Sequence, residues 1–180
     1  MVNTRRLYIV SCLYLAVMPV AFGQQWSDTS CKSVHRLLAA SEDDFRGIKV
    51  PSEVGQDFWK SKIGIAGFGE CEGQDDSDPT ISPSVSCTLQ QSQSLSEVRE
   101  MFQMIKSLLR SCLDRSFELS ERNGGKAFKS FTSVQEARFE KKSQGESTDG
   151  PSVRLSLLEL HSRRHSGYEL SLWVDAKERE

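Results

Sequence analysis

The chain has 180 residues, a hydrophobic content of 37% and a formal net charge of −2, with 23 Lys and Arg residues against 25 Asp and Glu residues. This length suits one compact domain, or one domain plus a processed leader. The balanced charge argues against a nucleic-acid-binding protein, which needs a strongly basic surface. After residue 23 no apolar run reaches the roughly 18 residues of a membrane-spanning helix, so we expect no span in the mature chain.

Residues 1–23 have the pattern of a signal peptide. Two adjacent arginines are followed by an apolar stretch, and Ala21 and Gly23 are small residues at the −3 and −1 positions before Gln24. The pattern predicts cleavage before Gln24 and a secreted or periplasmic protein. An uncleaved N-terminal anchor, a twin-arginine export signal and a lipoprotein acceptor site at Cys12 are the alternatives.

The first part of the mature chain predicts a helix, two strands and a second helix. Apolar residues at helical spacing after the N-cap Asp28 predict a helix over residues 29–40. Strands are expected over residues 58–68 and 85–90, on either side of a polar, acidic loop. A capping box over residues 94–97 then starts the second helix, whose apolar residues repeat at helical spacing as far as Cys112. Serine residues mostly lie opposite the apolar positions, so we expect them to form a solvated surface.

The remainder of the chain alternates between apolar and polar residues with the period of a strand. A strand begins near Phe117, another surrounds Phe139, and residues 153–157 and 168–174 form a hairpin. Grouped strands predict the α+β class, with two helices packed on one face of a five- or six-stranded, mainly antiparallel sheet. The expected order is α-β-β-α-β-β-β, with one further strand in the six-stranded version. We expect this domain to span residues 24–174, followed by a charged tail over residues 175–180.

The mature chain has four cysteines, Cys31, Cys71, Cys87 and Cys112. An even number in an exported domain predicts two disulfides, and three pairings are open. The local pattern favours Cys71–Cys87 across a hairpin and Cys31–Cys112 between the two helices in the core. The chain contains no CxxC motif and the spacings fit no zinc module, so the sequence predicts no metal site.

Several of these features together resemble a loose group of small secreted bacterial proteins with four cysteines. They are a cysteine-bearing helix, a Trp- and Gly-containing strand that ends in cysteine, a Ser-x-Ser-Cys strand and a long helix that ends in Ser-Cys-Leu. The residues concerned are Cys31, Phe45, Trp59, Gly67, Cys71, Cys87, Cys112 and Leu113. The resemblance covers most of the mature chain. It implies secretion and two disulfides, and it implies nothing about chemistry.

Two candidate binding features follow from the strand pattern. Trp173 lies on the opposite side of its strand from the apolar residues Tyr168, Leu170, Leu172 and Val174, so it could centre an apolar patch on the exposed sheet face. The turn of the last hairpin carries a basic cluster that could bind an anion or a partner's carboxylate. The residues of this cluster are His161, Arg163, Arg164 and His165.

The sequence contains no established catalytic motif and predicts no cofactor. The G-x-S-x-G and HExxH patterns are absent, and both predicted disulfides leave no free cysteine. His35 sits beside the apolar stripe of the first helix, where we expect a partly buried structural role. These observations favour an exported, non-catalytic interaction module that binds a protein or envelope component. A small secreted hydrolase and a carrier of a small ligand or ion are the alternatives.

Overall fold

The computed structural model describes residues 28–53, 55, 57–75, 81–125, 131–141, 150–161 and 166–177. The expected leader over residues 1–23 lies outside the described residues. The elements are α1 (Asp28–Ser41), β1 (Lys49–Pro51), β2 (Phe58–Ser61), β3 (Cys71–Gln74), β4 (Ser84–Ser92), α2 (Leu95–Cys112), β5 (Phe117–Asn123), β6 (Phe131–Lys141), β7 (Ser152–His161) and β8 (Ser166–Asp175).

The strands form one eight-stranded antiparallel sheet in the order β1-β2-β3-β4-β8-β7-β6-β5. The prediction of five or six strands is therefore wrong. The single strand expected over residues 58–68 ends at Ser61, and the chain turns back through an isolated bridge between Ile65 and Gly69. β1 precedes the first strand that the sequence predicts, and β3 lies where we expected the acidic loop. With three and four residues, these strands are too short for an alternating pattern to stand out.

Both helices pack against the sheet, α2 against β4, β7 and β8, and α1 against β8. Along β8, Leu170, Leu172 and Val174 are at most 1% exposed and belong to one core cluster with the apolar residues of the helices. Because side chains alternate along a strand, the residues between them project from the opposite face of the sheet.

α2 begins where the capping box predicted. Ser94 is the N-cap, and its side chain accepts a hydrogen bond from the backbone N–H of Glu97. In a capping box the side chain of the glutamate also accepts a hydrogen bond from the backbone N–H of the N-cap residue. Here the Ser92 hydroxyl lies between the two groups: it accepts from the Ser94 N–H and donates to the Glu97 carboxylate. Ser92 therefore links the N-cap N–H to the Glu97 carboxylate as one additional residue.

Serine is part of the interior as well as the surface. Six serines of the described part of the chain are buried, so the expectation of a solvated serine surface is wrong for Ser30, Ser33, Ser41, Ser152, Ser156 and Ser171. In α1 the Ser30 hydroxyl donates to the carbonyl of Ala66 at 3.0 Å, and the Ser41 hydroxyl donates to the carbonyl of Leu38 at 2.7 Å. A small polar side chain that finds a hydrogen-bond acceptor can be buried at low cost, so the polarity of serine did not reveal which serines are buried.

The C-terminal part of the fold continues beyond residue 174. Asp175 is the last residue of β8, and Ala176 is 4% exposed and donates its N–H to the carbonyl of Pro83 at 3.0 Å. The Ser82 hydroxyl donates to the carbonyl of Lys177 at 2.7 Å. Neither of the two helices in the described residues has the length and apolar content to cross a membrane.

Candidate functional site

The prediction of two disulfides is confirmed, and their environments differ. Cys71 and Cys87 are directly opposite each other on β3 and β4 and are at most 1% exposed. Cys31, in the first turn of α1, is bonded to Cys112, the last residue of α2, with 5.7 Å between their Cα atoms. Both pairs are those that the local pattern favoured.

The expected position of Cys31–Cys112 in the core is wrong, because both of its cysteines are only half-buried. The buried stripe of α1 centres on Val34, Leu37 and Leu38. Cys31 lies beside this stripe rather than on it, so the disulfide joins α1 to α2 near the protein surface.

Trp173 lies in a row of side chains that crosses the sheet in register. Arg138 of β6 pairs with Arg154 of β7, Arg154 pairs with Trp173 of β8, and Trp173 pairs with Ser86 of β4. We call these four residues the Arg–Trp row. It occupies the face opposite the core, because the neighbours of Trp173 along β8, Leu172 and Val174, are buried in the core.

Contacts along the Arg–Trp row hold its side chains in place. The guanidinium of Arg154 lies 5.0 Å from the ring centroid of Trp173, and its Nη2 lies 3.4 Å from Asp175 Oδ1. Arg138 Nε is 3.0 Å from Glu140 Oε1. The two arginines are directly opposite each other, an arrangement that the flanking carboxylates stabilise against like-charge repulsion.

The apolar patch expected around Trp173 is not present among the described residues of this face. The cross-strand neighbours of Trp173 are Arg154 and Ser86, and the next residues on its own side of β8 are Ser171 and Asp175. Trp173 is half-buried, and about a third of the Arg154 side chain, 31%, is exposed. The described part of this face therefore presents one aromatic ring among charged side chains and the half-buried Ser86, whereas Ser171 is buried.

The second candidate feature, the basic hairpin tip, is described only in part. His161 is exposed, and its Nε2 lies 3.0 Å from the Thr132 hydroxyl. Arg163, Arg164 and His165 lie outside the described residues. Beside this tip is a cavity of about 260 Å³, lined by Gln91, Ser92, Gln93, Leu160, Ser166 and Tyr168. Its lining mixes amides, hydroxyls and one aromatic ring.

His35 is exposed, so the expectation of a partly buried histidine is wrong. Its Nε2 lies 3.0 Å from the carbonyl oxygen of Cys112. A ring nitrogen of His35 and the sulfurs of Cys31 and Cys112 all lie within 4.8 Å of one another. The two sulfurs are bonded to each other here, so they are not the thiolates that a metal ion requires.

One acidic residue near this group has a shifted pKa. The hydroxyl and the backbone N–H of Ser116 both donate to the carboxylate of Asp114, the latter at 2.7 Å. These bonds to the charged form lower the pKa of Asp114.

A hydrolytic centre needs a histidine in hydrogen-bond contact with a carboxylate and a nucleophile. Among the described residues, His35 contacts a backbone carbonyl and His161 contacts a threonine hydroxyl, and neither is hydrogen-bonded to a carboxylate.

Comparison of the chain with protein-family models, curated proteins and solved structures finds no match.

Proposed function

We propose that this protein is an exported, disulfide-stabilised, non-catalytic interaction module that binds a protein partner through the Arg–Trp row. The proposed location, secreted or periplasmic, is consistent with two disulfides, which persist in oxidising compartments. The observation that carries the proposal is Trp173 in contact with Arg154 on the sheet face away from the core.

The chemistry of the row suits a protein partner. Trp and Arg are the residues that most often dominate binding free energy at protein interfaces. Trp173 offers a large ring that its contact with Arg154 already orients, so little side-chain entropy remains to be lost on binding. We therefore propose a partner segment that places an apolar side chain on Trp173 and a carboxylate against the two guanidinium groups.

Site-specific photo-crosslinking in the cell envelope of the source organism tests this proposal. The crosslinking residue is placed at Ser86, within the row, or at Gln103, on the exposed side of α2. We expect a discrete protein adduct from position 86 and none from position 103. The adduct should be lost in Trp173→Ala and in Arg154→Ala.

Phe58→Ala is the matched control, because Phe58 is an exposed aromatic residue, 41% exposed, on β2, which lies next to the edge strand β1. This variant should keep the adduct. Far-UV circular dichroism and intact disulfides verify that each variant is folded. An adduct that survives Trp173→Ala, equal adducts from positions 86 and 103, or no adduct from position 86 would contradict the proposal.

A further inference from the structure

The two disulfides differ sharply in their access to reagents. Cys71 and Cys87 are at most 1% exposed and belong to the core cluster, whereas Cys31 and Cys112 are half-buried at the ends of their helices. A thiolate must approach a sulfur directly for exchange, so access determines which bond can react in the folded protein. We propose that Cys31–Cys112 is a thiol–disulfide exchange site, opened by a dithiol while Cys71–Cys87 stays intact.

His35 gives this site a proton donor and acceptor. Its ring nitrogen and both sulfurs lie within 4.8 Å of one another, and its exposed ring is open to an incoming reagent. An imidazole beside a disulfide can take the proton of an attacking thiol and deliver a proton to the sulfur that leaves. No described residue provides this beside Cys71–Cys87, which is surrounded by apolar side chains.

The fold does not depend on the exchangeable bond for the attachment of α1. Val34 and Leu37 of α1 and Phe45, which follows the helix, are fully buried, and Leu38 is 8% exposed. Ser30 also links the helix to Ala66 by a hydrogen bond. These contacts remain when the disulfide opens, so we expect a folded dithiol form.

The helix ends determine which sulfur is attacked. Cys31 is in the first turn of α1, where the helix dipole favours a negative charge, and Cys112 is at the end of α2, where it does not. The better leaving group is therefore Cys31. A thiolate of the dithiol attacks Cys112 Sγ, a new S–S bond forms there, and the bond to Cys31 breaks with its electron pair on Cys31 Sγ, which is then protonated. The second thiol of the reagent attacks the mixed disulfide, releasing Cys112 as a thiol, so that the protein is reduced and the reagent is oxidised to a disulfide.

Timed reduction of the purified, fully oxidised protein tests the inference. The protein is treated with dithiothreitol without denaturant, thiols are alkylated at intervals, and peptides are mapped by mass spectrometry. We expect Cys31 and Cys112 to be alkylated at least about tenfold faster than Cys71 and Cys87, which require the fold to open. Equal rates, faster opening of Cys71–Cys87, or resistance of Cys31–Cys112 until denaturant is added would overturn the inference.

Two further measurements test the mechanism. His35→Gln should slow the opening several-fold under native conditions but not in concentrated urea, whereas Arg36→Gln, a substitution of the next exposed residue, should have little effect. A monothiol added in limiting amount should be trapped on Cys112. Equal slowing by both substitutions would refute the role of His35, and a mixed disulfide on Cys31 would refute the direction of attack.

Discussion

Gly73 of β3 is a position where one methyl group should measurably destabilise the fold. Gly73 pairs directly with Trp59 of β2, and a Cβ atom built on Gly73 would lie 2.1 Å from Cζ2 of the Trp59 ring. Non-bonded carbons approach to about 3.5 Å at their optimum, so the ring would have to move by more than 1 Å. Trp59 is 4% exposed and its ring centroid is 5.7 Å from that of the fully buried Phe45, so the core would have to move with it.

The expected cost of Gly73→Ala is near the upper end of the range for overpacking, about 3 kcal/mol. For a chain of this length that corresponds to a fall in the melting temperature of roughly 6 to 12 °C. Differential scanning calorimetry and guanidinium titration of the oxidised protein provide the two values. Gly47→Ala is the matched control, because nothing lies within 4 Å of its added Cβ, and it should change the free energy of unfolding by less than about 0.5 kcal/mol.

A double-mutant cycle identifies the ring as the cause. Trp59→Ala alone should cost about 3 to 5 kcal/mol, since it empties a large buried volume. Adding Gly73→Ala in that background should cost nothing further, and it could stabilise slightly by restricting the unfolded chain. If Gly73→Ala costs the same in both backgrounds, or no more than Gly47→Ala, the close contact between ring and glycine does not control packing at this corner of the sheet.

Three other predictions concern the helix cap, the buried disulfide and acid stability. Ser94→Ala should lower the free energy of unfolding by about 1 kcal/mol through loss of the N-cap of α2, measured by chemical denaturation; an unchanged value would contradict the cap. Replacing both Cys71 and Cys87 with serine should cost about 3 kcal/mol in the chain-entropy model, given their separation of 16 residues, and a cost near zero would refute that account. Because the pKa of Asp114 is lowered in the folded state, its interaction with Ser116 stabilises the fold at neutral pH, and this stability is lost as the pH falls through the folded pKa. Asp114→Asn should therefore reduce the fall in unfolding free energy between neutral and acidic pH, and parallel pH profiles would argue against it.

The Arg–Trp row illustrates how the sequence could indicate one residue of a site but not its neighbours. The alternation along β8 predicts that Trp173 lies on the opposite face of the sheet from the apolar residues of that strand, and the structure places it there. Its partners Arg154 and Ser86 come from β7 and β4, and only strand order and register bring them beside it. An apolar patch was expected because the sequence did not reveal that an arginine would be the direct cross-strand neighbour.

The sequence alone determined the features that depend on local patterns: the cap and length of α2, the β7–β8 hairpin and the presence of two disulfides. These follow from residues within one or two turns of each other, or from the even number of cysteines after the predicted leader. Only the tertiary structure decided the eight-stranded sheet, the burial of six serines and the surface position of Cys31–Cys112. The physical reason is that short strands and small side chains have weak intrinsic preferences. Their state is set by the backbone hydrogen bonds and the neighbours that distant parts of the chain provide.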